Sequence, residues 1–441
     1  MATVLLIILY TLTFIVLIDR ITKHSKIRLS RKEIALAYCF KVAMGILYGF
    51  VFKKFYGGDD TWKYFNDSLS EYNELLFQTG QFFKEIIPLD SFQKFPGFAD
   101  GFSHMLDMLE FNALTKSLAV FNLFSLQNYY VDVVFFNLFS FVGSYLLFKL
   151  FANTWKEKRI HIYIAAFFIP SISFWLSGIR SDAFLLLAIG LSLYYFQAWM
   201  HSRKWSHLFF FLIGLIGTLV FRLQFFLVLV PFLLAWWMVI KFSWKPWLTF
   251  TSVMIGSLLL FFGSSLSQKF NMLSFVVQRQ HEFLELKANT VFPLNRLEPH
   301  FYSFVLTFPQ AALNTFFRPY IWEAKGPLQL AASAEVIFFW IIMLIGLKNF
   351  RQISHNPLTW FVLFFGSCVY LLIGYTVPFP GAIVRYKVLP ELLFFLLLFP
   401  MVPFKLKKIT VPSFAQPPVF PASVSPAPIQ IKKNKYLNRI P

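Results

Sequence analysis

Residues 34–52 read "IALAYCFKVAMGILYGFVF", and residues 55–65, just beyond them, read "FYGGDDTWKYF". The first stretch has the length and apolar composition of a helix that crosses a lipid bilayer. The second places two adjacent carboxylates, Asp59 and Asp60, within a few residues of that helix. Ionisable groups are costly beside hydrocarbon and usually mark function. The two stretches together predict a membrane fold and the region where its chemistry lies.

The composition of the 441-residue chain supports a membrane protein, since 57% of its residues are hydrophobic and only 14% are charged. A soluble domain does not need so much apolar surface. The formal net charge of +19 would suit a nucleic acid. However, the basic residues form short clusters between apolar runs, a pattern typical of membrane topology. We therefore predict an all-α polytopic membrane protein that does not bind nucleic acid.

Apolar segments predict about eleven transmembrane helices. The segments are 3–19, 33–53, 132–152, 160–177, 183–200, 207–222, 224–240, 246–264, 334–348, 357–376 and 388–404. With that count, every short basic cluster falls on one side of the membrane, and the positive-inside rule makes that side cytoplasmic. The clusters are 20–32, 156–159, 201–204, 241–245, 348–351 and 405–408. We expect residues 1–408 to form a membrane domain of the bacterial inner membrane.

The same alternation places two long loops, about 54–131 and 265–333, on the extracytoplasmic face. The first contains "NELLFQTGQFFKEIIP", in which apolar and polar residues alternate at helical spacing. Such segments are typical of helices that lie in the membrane interface and contact lipid. Residues 409–441 are rich in Pro and Ser with basic residues near the end, which predicts a disordered cytoplasmic tail.

The "GGDD" stretch has two interpretations. It is compatible with a glycine turn that ends one helix and an Asp that caps the next. A cap needs only one carboxylate, however, and adjacent like charges raise each other's pKa. A carboxylate with a raised pKa is suited to remove a proton from a hydroxyl group. One of Asp59 and Asp60 is therefore a candidate general base.

Other charged residues share the predicted outer face. Arg180 and Asp182 lie in the short loop "SGIRSD", and Arg222 lies between two spans with almost no loop around it. Several arginines on one face favour an anionic ligand, and guanidinium groups suit phosphate well. The residues predicted to bind phosphate are Arg180, Arg222, Arg318, Arg385 and Lys387. The residues predicted to contact the rest of the substrate are Trp62, Tyr64, His281, Trp322 and Glu323.

This combination of charges suggests a sugar transfer from a lipid phosphate. The cations would bind the phosphate of a polyprenyl-phosphate-linked sugar and stabilise the charge of the leaving group. A carboxylate would deprotonate a hydroxyl of a glycan or glycolipid acceptor, which attacks the anomeric carbon with inversion. We predict that no cofactor is required. A divalent metal ion, Mg²⁺ or Mn²⁺, is compatible with the acidic residues, whereas no spacing typical of a zinc site is present.

These features resemble the GT-C superfamily of integral-membrane glycosyltransferases, particularly bacterial members that act on envelope polysaccharides. The resemblance rests on Asp59 and Asp60 directly after a span, on interfacial helices in the same loop, and on Asp182 two spans later. It implies a catalytic Asp59 or Asp60, a lipid-linked donor held by external basic residues, and an Asp182 that assists or faces a metal ion. It covers residues 33–330 as architecture. The acidic loop follows the second predicted span here rather than the first.

Two other functions fit parts of the sequence. A polymerase or ligase of lipid-linked polysaccharide repeat units also has many spans and a large external loop, and its external arginines would be catalytic. A transporter of lipid or polysaccharide would need charged residues along a path through the spans. The centres of most predicted spans are uncharged, which disfavours transport. We therefore favour a glycosyltransferase in which Asp59 caps a helix and Asp60 is the base.

Overall fold

A computed structural model describes residues 1–403 of the protein, apart from residues 26, 96, 268–270 and 287–289 and the side chain of Ala99. The described residues form helices and no strand, which confirms the all-α class. The α-helices are α1 Ala2–Thr22, α2 Arg31–Tyr56, α3 Asp60–Phe77, α4 Thr79–Lys84, α5 Ser91–Lys94, α6 Phe98–Ser125, α7 Tyr129–Thr154, α8 Arg159–Phe167, α9 Pro170–Ser177, α10 Ser181–Ser202, α11 Trp205–Phe221, α12 Leu223–Phe242, α13 Pro246–Gly263, α14 Met272–Glu285, α15 Phe301–Phe316, α16 Pro327–Lys348, α17 Pro357–Thr376 and α18 Pro380–Leu398. The predicted tail, 409–441, and the basic cluster 405–408 lie outside the described residues.

Eight helices in the described part of the chain are long and apolar enough to cross a membrane. They are α1, α2, α7, α10, α12, α13 with the turn after it, α16 and α17. The region 156–177 is a ninth candidate only if α8 and α9 form one span with a 53° bend. Helix α11 has 17 residues, and α18 carries three charged residues. The membrane character is thus confirmed, whereas the predicted count of about eleven is not.

Glycines allow the central helices α7, α10 and α11 to approach closely. A Cβ atom on Gly143 of α7 would lie 2.7 Å from the backbone nitrogen of Leu187, and one on Gly214 of α11 would lie 2.7 Å from the carbonyl oxygen of Ala188. Small residues at such contacts are typical of helix packing in membranes, where close backbone approach replaces the hydrophobic effect as a driving force. Helix α10, which carries Asp182 in its first turn, is therefore held on two sides.

We expect Gly143→Ala to destabilise the protein by about 1–3 kcal/mol, because the new methyl group would meet backbone atoms that cannot rotate away. The matched control is Gly256→Ala in α13, where a Cβ atom has no neighbour within 4 Å. This control should be neutral or stabilising by about 0.5–1 kcal/mol, because alanine is the better helix former. Thermal unfolding of the purified variants in detergent measures the difference. Similar unfolding temperatures for both variants would contradict the close packing of α7 on α10.

Ion pairs show which helix ends lie together. Arg159 at the start of α8 contacts Glu33 in the first turn of α2 at 2.7 Å. At the far end of α2, the chain reaches Asp59, which contacts Arg180 at 2.9 Å. The basic residues around Glu33 and Arg159 are therefore at the end of α2 opposite to the acidic pair. This arrangement agrees with the alternation predicted from the charge clusters.

The helices α3 to α6 lie in the region 60–131, where the sequence predicted helices. Helix α3 packs on α6 through Lys116, whose side chain is only 7% exposed. The Lys116 ammonium group contacts Glu71 at 2.7 Å and Glu74 at 3.4 Å, both on α3. Since α3 begins at Asp60, this buried lysine fixes the helix that carries one of the candidate catalytic residues.

Lys116→Met should destabilise the protein by about 1–3 kcal/mol, because Glu71 and Glu74 would lose their shared cation while remaining half-buried. The control is Lys94→Met, whose ion pair with Asp90 is exposed on both sides. Exposed pairs contribute about 0–1 kcal/mol. The measurement is again the unfolding temperature in detergent, and an equal loss in the two variants would exclude a special role for Lys116.

Candidate functional site

The turn between α2 and α3 places the two aspartates. Helix α2 ends at Tyr56 and is capped by Gly57 with φ 72°, and Gly58 follows with φ 120°. Such positive φ values favour glycine, which explains the "GG" dipeptide. Asp59 then caps α3, because its Oδ1 atom accepts a hydrogen bond from the Thr61 backbone nitrogen at 3.2 Å. Asp60 is the first residue of α3. The structure thus gives Asp59 the predicted capping position.

Arg180 binds both aspartates. Its two terminal nitrogens contact Asp59 at 2.9 Å and Asp60 at 2.6 Å. The Tyr48 hydroxyl also donates a hydrogen bond to Asp59, at 2.9 Å. Burial raises the pKa of Asp59, and the positive charge of Arg180 opposes that shift. Only 15% of the Asp59 side chain is exposed, against 60% for Asp60. Asp60 is therefore the member of the pair that faces solvent.

Asp182 joins three arginines from separate parts of the chain: Arg180 just before α10, Arg222 between α11 and α12, and Arg385 in α18. Its carboxylate contacts the Nε atom of Arg385 at 3.0 Å, Arg222 at 3.5 Å and the Nε atom of Arg180 at 3.8 Å. The side chain of Asp182 is 9% exposed. Buried charges of this kind are stable only when they are paired. Asp182 therefore fixes the positions of the arginines, and it does so from the first turn of α10.

Glu110, Tyr386 and Tyr48 belong to the site but were not predicted. Glu110 of α6 contacts Arg222 at 2.9 Å, and the Tyr386 ring lies 5.0 Å from the Arg385 guanidinium carbon. A signal for Glu110 does exist, because Asp107 and Glu110 are three residues apart and so share one face of α6. For Tyr48, inside an apolar span, we see no sequence signal.

The carboxylate–arginine cluster is defined here as Asp59, Asp60, Glu110, Asp182, Arg180, Arg222 and Arg385. It contains four carboxylates and three guanidinium groups, and each of its arginines already contacts at least one carboxylate. The cluster therefore has no surplus positive charge. An incoming phosphate would have to replace a carboxylate as the partner of an arginine, and Arg222 and Arg385, at 18% and 16% exposure, are more accessible than Arg180 at 4%.

A cavity of about 210 Å³ lies beside this cluster, shares Arg222 and Glu110 with it, and is also lined by Tyr386. Its other polar walls include Asp107 of α6 and Arg279 of α14. Burial raises the pKa of Asp107, while the charge of Arg279 lowers it. The remaining walls are largely apolar and come mainly from α6, α11, α12, α14 and α17. The cluster therefore borders a space that a small ligand can occupy.

Arg318, Trp322 and Glu323 form a different group of contacts. Arg318 contacts Glu323 at 3.1 Å and lies over the Phe292 ring. Trp322 is 81% exposed and stacks on Tyr320 with a centroid distance of 4.8 Å. These partners are not those of the carboxylate–arginine cluster. None of these contacts therefore joins Arg318, Trp322 or Glu323 to the aspartates of the cluster.

Lys387 and His281 also have partners of their own. Lys387 is buried in α18, 2% exposed. Its charge acts on two other buried residues, Glu335 of α16 and Glu391 of α18. His281 is 62% exposed and contacts Glu285 on the same helix at 3.2 Å. Neither contact involves the carboxylate–arginine cluster.

The two predicted aromatic contacts near the acidic pair differ in role. Trp62 stacks on Tyr129 at 4.0 Å and donates a hydrogen bond to the carbonyl of Gly49, so it packs α3 against its neighbours. Burial, together with the charges of Glu110 and Asp60, raises the pKa of Tyr64. Tyr64 is therefore close to the cluster and half-buried, whereas Trp62 is largely committed to packing.

Within the part of the chain that the structure describes, no group of three or more His, Cys, Asp or Glu side chains is arranged to hold a metal ion. No protein-family model, curated protein or solved structure matches this chain. The fold and the site define a polytopic helical membrane protein with paired carboxylates and arginines where several helix ends meet.

Proposed function

We propose that this chain is a membrane glycosyltransferase of the GT-C type, in which Asp60 is the general base. It would move a sugar from a polyprenyl-phosphate-linked donor to an acceptor hydroxyl of a glycan or glycolipid, with inversion. The observation that supports this most directly is the contrast between Asp60, 60% exposed, and Asp59 and Asp182, at 15% and 9%. One carboxylate is accessible to a substrate, and the others hold it in place.

The contacts of Asp60 suit a base. Both of its ion pairs, with Arg180 at 2.6 Å and Arg385 at 3.7 Å, are made by Oδ2. Its Oδ1 atom is the one we expect to accept the proton of the acceptor hydroxyl. A base acts through a hydrogen bond of this kind, in a substrate pose that brings the hydroxyl within reach.

Donor binding would change the partners of Asp60. The donor phosphate is an anion that can take Arg385 from Asp60, because Arg385 is the more distant of its two partners. The same arginine would then stabilise the negative charge on the leaving phosphate. Arg180 would continue to hold Asp60 in place.

We further propose that eleven helical segments cross the membrane and that the cluster lies on the extracytoplasmic side of a bacterial inner membrane. Asp182 at the start of α10 contacts Arg222 after α11 and Arg385 near the start of α18. If the chain crosses the membrane an even number of times between these residues, all three lie on the same side and can make these contacts. The orientation follows from the basic residues near Glu33 and Arg159 at the opposite end.

The alternative of a repeat-unit polymerase or ligase is supported by one observation. Arg222 lines the cavity and contacts Glu110, so it could bind and activate a substrate there. A polymerase of this kind would lose activity with Arg222→Ala while keeping it with Asp60→Asn. A base-dependent transferase would lose transfer with Asp60→Asn while still binding the lipid-linked donor, because Asp60 would take part in the chemical step.

The proposal is tested with the full chain in lipid nanodiscs and a panel of polyprenyl-phosphate-linked hexoses and pentoses that carry a radioactive sugar. We expect transfer of one sugar to a glycan acceptor, and an anomeric configuration in the product that is opposite to that in the donor. NMR of the product gives that configuration. Retention of configuration, or products that grow by whole repeat units, would contradict the proposal.

A further inference from the structure

The cavity beside the cluster has balanced charges. Four charged residues line it: Asp107, Glu110, Arg222 and Arg279. Arg222 contacts Glu110 at 2.9 Å, and Arg279 contacts Glu282 at 2.9 Å. An anionic ligand would meet two carboxylates in these walls and two arginines that are already paired. An uncharged ligand with several hydroxyl groups would meet both donors and acceptors and leave every ion pair intact.

The size of the cavity limits the ligand. Sites for drug-sized molecules occupy roughly 300–1,000 Å³, and this cavity is about 210 Å³. A polyprenyl chain or a whole oligosaccharide is too large to be enclosed in it. One small ring is the natural occupant.

The walls of the cavity combine polar groups with flat apolar surfaces. Gln224 and Thr376 add neutral hydrogen-bonding groups, and the rings of Phe275, Phe283 and Tyr386 add aromatic surface. Tyr386 also lies beside Arg222, with 5.6 Å between its ring centre and the guanidinium carbon. A sugar ring presents hydroxyl groups at its edge and C–H groups on its faces. It is therefore complementary to walls that alternate polar side chains with aromatic rings.

We infer that this cavity binds a single uncharged sugar ring, and that the chain therefore selects neutral sugars over uronic acids and sugar phosphates at this position. The inference rests on the proposed function, which it makes more specific. The ring can belong to the lipid-linked donor or to the acceptor glycan, since both present the same chemistry.

Binding is tested by saturation-transfer-difference NMR on the full chain in detergent, which needs no turnover. The probes are neutral methyl hexosides and pentosides and the matching methyl uronides, which differ from the hexosides by one carboxylate. We expect signals from at least one neutral glycoside and signals at least about tenfold weaker from its uronide. Equal signals from the two, or no signal from any neutral glycoside, would overturn the inference.

Variants locate the binding. Two substitutions should each reduce the NMR signal of the neutral glycoside. Thr376→Trp fills the cavity, and Gln224→Leu keeps the size of the side chain but removes its hydrogen bonds. Trp205→Ala is the control, because Trp205 is an exposed aromatic residue at the opposite end of α11 from Arg222. Asp107→Asn combined with Glu110→Gln should allow the uronide to bind. Neutral signals that survive both cavity variants would place the site elsewhere and overturn the inference.

Activity measurements separate donor from acceptor and this inference from the proposed function. If Gln224→Leu raises the KM for the donor, the ring belongs to the donor; if it raises the KM for the acceptor, the ring belongs to the acceptor. If neutral glycosides bind as expected but transfer does not depend on Asp60, the sugar site stands and the proposed base is wrong. If transfer depends on Asp60 but the cavity variants still bind the glycosides, the proposed base stands and the sugar site is wrong.

Discussion

Replacing Asp60 with asparagine is expected to reduce the rate of sugar transfer by about 10²–10⁴-fold, the usual contribution of general base catalysis. Asparagine has nearly the same shape but cannot accept the proton of the acceptor hydroxyl. Asp60 is 60% exposed, so its loss leaves little uncompensated charge in the interior. We therefore expect the protein to keep its unfolding temperature and its affinity for the lipid-linked donor. Transfer of a radioactive sugar in nanodiscs measures the rate.

The matched controls are two other acidic residues of the same region. Asp59→Asn should have a much smaller effect on the rate, because asparagine caps a helix about as well as aspartate does. Asp90→Asn should have none, since Asp90 is exposed and its one ion pair among the described residues is with Lys94. Full turnover in both Asp59→Asn and Asp60→Asn would rule out a base in this pair. A loss of activity in Asp59→Asn alone would mean that Asp59, and not Asp60, is the base.

Local sequence signals predicted the parts of the site that depend on local geometry. The "GGDD" stretch contains a helix end, a turn with positive φ and a cap within a few residues, and Gly57 and Asp59 have those roles in the structure. Charge clusters between apolar runs likewise predicted which helix ends lie together, because each crossing reverses the chain. The contact between Asp182 and Arg222 agrees with that alternation.

The sequence did not show which side chains come together from distant parts of the chain, because that depends on how the helices pack. Arg180 and Arg318 both lie on the predicted outer face, yet only Arg180 reaches the aspartates, across 120 residues. A position on one face does not specify which side chains converge on one point. The count of about eleven spans is unconfirmed for a related reason: α18 carries Arg385, Lys387 and Glu391 and so lacks the low charge of a simple span. Charged residues on other helices pair with charges of α18 that this helix could not bury alone.

Replacing Arg180 with methionine should have the largest effect on stability, about 3–5 kcal/mol, the usual cost of leaving a buried charge without its partner. Arg180 is 4% exposed and contacts Asp59, Asp60 and Asp182. Methionine fills similar space without charge, so the largely buried Asp59 would lose its only ion pair among the described residues. Transfer should also fall, because Asp60 would lose its closest contact. Thermal unfolding in detergent gives the stability change.

A second substitution shows whether the lost stability comes from the stranded carboxylate. Asp59→Asn in the Arg180→Met background removes the uncompensated charge and keeps the helix cap, so it should restore part of the unfolding temperature. Arg180→Lys should not substitute for arginine, because a single ammonium group cannot bind two carboxylates through separate nitrogens as the guanidinium group does. A double variant no more stable than Arg180→Met would show that Arg180 acts through packing rather than charge. In that case Asp60 would need another partner to hold it for catalysis, and Arg385, at 3.7 Å, is the residue to replace next.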